Sequence, residues 1–182
     1  MAIRNIRYDK DEVLRKRSRE IETIDNKIRE LAIDMLDTMY KFDGIGLAAP
    51  QVGILKRIIT IDIGEGPKVF INPVITKASG KQTCEEGCLS FPNVFGNVDR
   101  PLSVVVEAYD IDGKKIKMKA KDLEAVVLCH EIDHLDGILF VDKAYDIYAL
   151  SEEEIEASRK EAEKLEKEAK NKNKGKKKNN KK

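Results

Sequence analysis

Apolar positions divide this chain into segments of different period. Between residues 25 and 42, Ile28, Leu31, Ala32, Met35, Leu36, Met39 and Tyr40 recur at three- and four-residue spacing, which predicts an amphipathic helix. Asp25 is placed to cap its start, and Asp43-Gly-Ile-Gly46 to end it, because glycine tolerates the left-handed exit turn. Leu55 to Ile63 is rich in β-branched residues and predicts a strand; Val69 to Val74 predicts a short one interrupted by Pro73. Leu102 to Tyr109 and Lys115 to Lys119 flank Asp112-Gly113, a hairpin signature. Asp122 can cap a second helix over about 122–136. Its stretch Ala125-Val-Val-Leu-Cys129 is apolar nearly all round, so this helix should be buried. A third helix is expected from about 147 or 151 to 170, with Ser151 and Glu154 as a capping box. Strands first and a central helix later argue for an α+β fold rather than a doubly wound sheet. The expected architecture is antiparallel or mixed sheets around that central helix, flanked by an N-terminal and a C-terminal helix.

Composition narrows the class. At 182 residues the chain suits one domain of about 150 residues with an appendage. The expected division is a catalytic body over 1–150, a charged helix over 151–170 and a disordered Lys-rich tail over 171–182. Residues 171–182 carry seven Lys and no acid; removing them from the formal net charge of +1 leaves −6 for residues 1–170. No apolar run approaches the ~20 residues of a membrane span, and the N-terminus lacks the apolar core of a signal peptide. A cytoplasmic setting is expected, in which Cys84, Cys88 and Cys129 read as thiols or ligands rather than bridges.

The chemistry concentrates at His130-Glu131-Ile132-Asp133-His134, which holds both histidines of the chain. Helical positions four apart share a face, so both imidazoles can grip one metal ion while Glu131 handles a proton of bound water. A catalytic site needs a third protein ligand and an open fourth position. Three sources compete. The longer motif HExxHxxGxxH has its glycine at Gly137 but Phe140 where its last histidine belongs, so it fails. Glu152 to Glu154 lie at the distance used by another protease class, but on a segment that looks solvated. The third is Cys88 in Glu85-Glu-Gly-Cys88-Leu-Ser-Phe-Pro92. Asp133 and Asp136 suit orientation of a ligand imidazole, or helix capping, better than metal binding.

Gly44-Ile-Gly-Leu-Ala-Ala-Pro-Gln51, Glu86-Gly-Cys-Leu-Ser90 and His130-Glu-Ile-Asp-His-Leu-Asp-Gly137 together resemble the three motifs of peptide deformylases, in that family's order, within residues 1–150. The resemblance implies a bacterial enzyme that removes the N-formyl group from formylmethionine at the start of nascent polypeptides, releasing formate. It implies Cys88, His130 and His134 as metal ligands, Glu131 as general acid/base, and Gln51 with the backbone N–H of Leu89 facing the formyl oxygen. Gly46 and Ile45 would contact substrate, and Cys84, Leu123, Val126 and Val127 would line the methionine pocket. Ferrous iron is the metal it implies first; zinc or another divalent transition metal also suits a Cys/His2 set. Cys129 stands where the family commonly has Gln. The C-terminal helix and basic tail could reach ribosomal RNA. Phe95 and Arg100 could touch substrate or merely pack. Two other readings remain: a zinc endopeptidase, and a structural Cys2His2 site (Cys84, Cys88, His130, His134) on an RNA-binding module. The 41 residues between Cys88 and His130 far exceed finger spacing.

Overall fold

The computed structural model describes residues 2–157, 160, 161 and 164. It is α+β, with a five-stranded sheet and a three-stranded sheet. Residues 2–147 form one compact unit. Helix α1 (Asn26–Lys41) starts where the sequence places it. The Asp25 carboxylate accepts from the Ile28 N–H at 2.9 Å, satisfying one orphan donor of the first turn. Its apolar stripe of Ile28, Leu31, Ala32, Met35 and Met39 is buried against Leu47, Ile58 and Ile71.

The larger sheet runs β1 (Gly46–Ala48), β2 (Ile58–Ile61), β3 (Lys68–Ser79), β6 (Ser103–Tyr109) and β7 (Lys115–Lys121) across its width. The smaller joins β4 (Gln82–Cys88), β5 (Phe91–Arg100) and β8 (Tyr145–Ala149). Strand β3 is longer than Pro73 suggested. The register against β6 jumps between Ile71 and Val74, and Asn72 takes φ of 52° there. Pro73 thus sits in a bulge, where no ladder donor is needed. The Asn72 side chain fastens that bulge by bonding both the N–H and the C=O of Ile21, each at 2.9 Å.

Helix α2 (Asp122–Leu135) is the buried centre: it contacts β1, β2, β3, β5, β6 and β7. Leu128 and Leu135 are fully buried, each contributing about 1.5–3 kcal/mol by leaving water. The expected Asp122 cap is corrected. Lys121 occupies the N-cap without a side-chain cap bond, and Asp122 is the first helical residue. At the far end Asp136 caps the helix, and Gly137 turns the chain out with φ of 74°. A Cβ on Gly137 would lie 2.4 Å from the Arg15 carbonyl oxygen, so this position takes glycine.

The third helix starts later than 147, because Tyr145–Ala149 pair as β8. Residues 152–157 are helical, and Ser151 and Glu154 form the reciprocal cap: Ser151 N–H donates to the Glu154 carboxylate at 2.8 Å, and Glu154 N–H to the Ser151 hydroxyl at 3.3 Å. Most of the remaining expected helix, and all of 171–182, lies outside the described residues.

Candidate metal centre

Two successive turns of α2 present His130 and His134 on one face, with ring centroids 5.0 Å apart. The hairpin of β4 and β5 brings Cys88 to them. Register there shifts between Gly87 and Cys88: Gly87 stands opposite Phe95, but Cys88 opposite Phe91. Such an irregularity re-aims a side chain, and Cys88 Sγ lies 3.3 Å from His134 Nε2. One donor atom each from Cys88, His130 and His134 falls within 4.8 Å of the others. A tetrahedral ion with bonds of about 2.0–2.3 Å needs donors only a little over 3 Å apart, so the spacing fits. The set is one soft sulfur and two imidazoles, suited to zinc or iron. Cys84 is not in this group, which removes the geometric basis for a structural Cys2His2 site.

The His130 ring is oriented from behind. His130 Nδ1 lies 2.8 Å from Glu86 Oε2, leaving Nε2 for the donor group. Arg100 in turn grips Glu86 with two bonds, of 2.7 and 2.9 Å, and also bonds Asp133, which Lys143 reaches at 2.6 Å. Burial opposes the charge on Glu86, yet Arg100 and His130 outweigh it and hold its pKa near 2. Burial likewise opposes charge on His130, but Cys88 and Glu86 hold its pKa well above the ordinary value; burial drives that of His134 well below. Burial also lifts the Cys129 thiol to about 11, so in the position before His130 it is a packed apolar side chain of the core.

The orienting carboxylate is therefore Glu86, not Asp133 or Asp136. Asp136 caps α2 and pairs with the buried Arg57 at 2.8 Å. Glu86 belongs to the Glu86-Gly-Cys-Leu-Ser90 motif, but nothing in the sequence alone marks its task. Its spacing of ten residues from Gly96, and so its place across from β5, became visible only once β4 was recognised as a strand. Arg100 packs behind the site rather than touching substrate, and Phe95 lines the cavity while lying against Gly87.

A cavity of about 650 Å³ opens beside the donors. Gly44, Ile45, Gly46, Gln51, Leu89, Leu123, Val126, Val127, His130 and Glu131 line it; Cys84, expected in the methionine pocket, does not. Cys84 lies on β4, turned towards Gln82 rather than the cavity. Gln51 is buried in a short 3-10 turn, Ala49–Val52. Its Oε1 accepts the Ala48 N–H at 2.7 Å, which fixes the amide so that Nε2 faces Ser90 Oγ and Cys88 Sγ at 3.3 and 3.4 Å. Those long contacts leave the NH₂ able to serve a stronger acceptor. Glu131 is buried, its Oε2 has no partner, and burial raises its pKa to about 7.

A helix-borne HExxH, one sulfur as the third donor and an adjoining cavity define a metal-dependent hydrolase. The family model for polypeptide deformylase matches residues 3–149. The peptide deformylase of Acetivibrio thermocellus is 54% identical over 160 residues, covering 88% of this chain and 93% of that protein. The crystal structure of the Thermotoga maritima peptide deformylase matches with a TM-score of 0.78 at 38% identity, over 80% of this chain and 99% of that one. That of the Synechococcus elongatus enzyme in complex with actinonin matches with a TM-score of 0.76 at 45% identity, over 78% and 79%. The chain belongs to the polypeptide deformylase family, hydrolases that remove the N-formyl group from newly made polypeptides.

Proposed function

We propose that Cys88, His130 and His134 hold one divalent ion, ferrous iron first and zinc second, and that Glu131, Gln51 and Leu89 carry out deformylation around it. The observation that carries this reading is that the three donors gather within 4.8 Å of one another, while Cys88, His130, Gln51 and Glu131 line the adjoining cavity. When bound, the ion acts as a Lewis acid and can lower the pKa of a water from 15.7 towards about 7. Glu131 takes a proton from the attacking water and returns it to the leaving amine. Gln51 Nε2 and the Leu89 N–H face the formyl oxygen as charge develops there, worth about 3 kcal/mol per donor. Leu123, exposed on the first turn of α2, and the buried Val126 and Val127 that follow it offer the methionine side chain an apolar wall. Ile45 and Gly46 border the extended substrate backbone. The products are formate and a free N-terminus.

Formate release from a formyl-Met-Ala peptide, with elemental analysis of anaerobically purified protein, tests the assignment. Iron with high turnover supports it; internal peptide-bond cleavage without formate favours an endopeptidase. Aerated iron protein is expected to lose activity as iron and Cys88 oxidise. Equal rates before and after aeration would refute iron as the working metal.

Gly46 gives a steric test. A Cβ there would lie 2.4 Å from Glu131 Oε1, so Gly46→Ala must displace the carboxylate. A displacement of that order is expected to lower kcat about 10²-fold with metal content unchanged. Unchanged kcat would show that the position of Glu131 is not critical.

No helix among the described residues is long and apolar enough to cross a membrane. We place the enzyme in the bacterial cytoplasm, acting on N-formyl-methionyl nascent peptides. The catalytic body is residues 1–150. The helix expected over 151–170 and the Lys-rich residues 171–182 form an appendage whose positive charge favours ribosomal RNA. Deleting 171–182 is expected to weaken ribosome co-sedimentation at low salt more than at high salt. Unchanged co-sedimentation at low salt would dispose of that role.

A further inference from the structure

Away from the cavity, the outer face of the larger sheet carries an unassigned run of charge. Strand β7 reads Lys-Ile-Lys-Met-Lys-Ala-Lys, so alternation turns Ile116, Met118 and Ala120 to the core and Lys115, Lys117, Lys119 and Lys121 outward. Pairing extends the face across two more strands. Lys119 stands opposite Val105, which stands opposite Lys77, and Lys121 stands opposite Ser103. All five lysines are exposed. Glu107 is the acid within these rows, and it is taken by Lys117 at 2.7 Å and Lys115 at 3.8 Å. Among the described residues, Lys77, Lys119 and Lys121 form no ion pair.

We propose that this face docks onto the phosphate backbone of RNA. Ammonium groups two residues apart on a strand are spaced roughly 6.8 Å, an open row of point charges that matches a string of phosphates. The lysines act as point charges toward phosphate, and the rows contain no Arg, Asn or Gln to make bidentate contacts with base edges, so the contact should depend little on sequence. Tyr109, which stands opposite Lys115 and is 40% exposed, adds a ring on which a base can stack. Residues 1–170 carry a formal −6, so the three lysines without an ion pair stand out as a positive patch on an acidic body. None of the five lysines lines the cavity, so a docked molecule keeps its substrate entrance open. RNA is favoured over other polyanions because the substrate is a polypeptide newly made on an RNA-rich particle. This site is made by residues of the sheet, not by residues 171–182.

The test uses the full-length, metal-loaded chain with Lys77, Lys119 and Lys121 changed together to Glu, and in a second variant to Gln. Affinity for a labelled RNA hairpin is measured by fluorescence anisotropy across a series of KCl concentrations. Formate release from a short formyl peptide should be unchanged in both variants, reporting an intact fold. The Glu variant should bind about tenfold or more weakly at low salt. In the Gln variant the slope of log affinity against log salt should be shallower by about 2–3. Affinity and slope equal to the parent's would overturn the proposal, leaving the lysines as guards of an edge strand. If the Glu variant aggregates, the Gln variant decides alone. Comparable loss of binding to phosphatidylserine vesicles, with RNA binding retained, would assign the face to lipid and also overturn it. Loss of RNA binding on deleting 171–182, with the face variants unchanged, would credit the tail alone.

Discussion

Glu131→Gln should lower kcat for formate release by about 10²–10⁴-fold while the protein keeps its metal and its KM. The two side chains have nearly the same shape, so packing around α2 is preserved. The amide cannot accept the water's proton or return one to the leaving amine. Glu131 is 4% exposed, its Oε2 has no protein partner, and burial lifts its pKa to about 7, near the working range of a group that must both take and give a proton. Elemental analysis alongside the kinetics separates the roles. Metal lost together with turnover would make Glu131 a ligand or a structural support instead.

Glu86→Gln should cost about 3–5 kcal/mol of stability, read as a shift in denaturation midpoint, and weaken metal binding about 10–100-fold. The side chains of Arg100 and Glu86 are 3% and 4% exposed, so removing the Glu86 charge breaks a two-bond buried pair and leaves Arg100 with Asp133 as its remaining counter-charge. Glu86 also receives His130 Nδ1, so the same change frees the imidazole that Glu86 orients. A control is available in Glu124→Gln, which breaks a pair with Lys68 that is 31% exposed. That change should cost under about 1 kcal/mol. Equal effects from the two substitutions would mean that the buried network gives the site no special support.

Much of this was legible in the sequence, for identifiable physical reasons. Helix α1, its Asp25 cap, the β6–β7 hairpin and the burial of α2 follow from local periodicity and turn chemistry. The two histidines belong to one helix, so their convergence needs only the helical repeat. The β4–β5 hairpin did not show itself. Gln82-Thr-Cys-Glu-Glu-Gly-Cys88 is polar, with the Glu86 carboxylate satisfied by partners distant in the chain, and it reads as a turn until Arg100 is in place. The extension of β3 past Pro73 was hidden because a bulge excuses the missing donor. Strand β8 was read as the start of a helix, because exposed Tyr145–Ala149 carry no core-facing stripe. Resemblance supplied what spacing could not, namely which thiol joins the histidines; geometry then set Cys84 aside and gave Glu86 its task.

X-ray absorption at the metal edge of anaerobically purified, active protein reaches the heart of the account. One sulfur and two imidazole nitrogens, with a light oxygen donor completing the shell, is the predicted result. A shell without sulfur, or one with two sulfurs and two nitrogens all from protein, would contradict it.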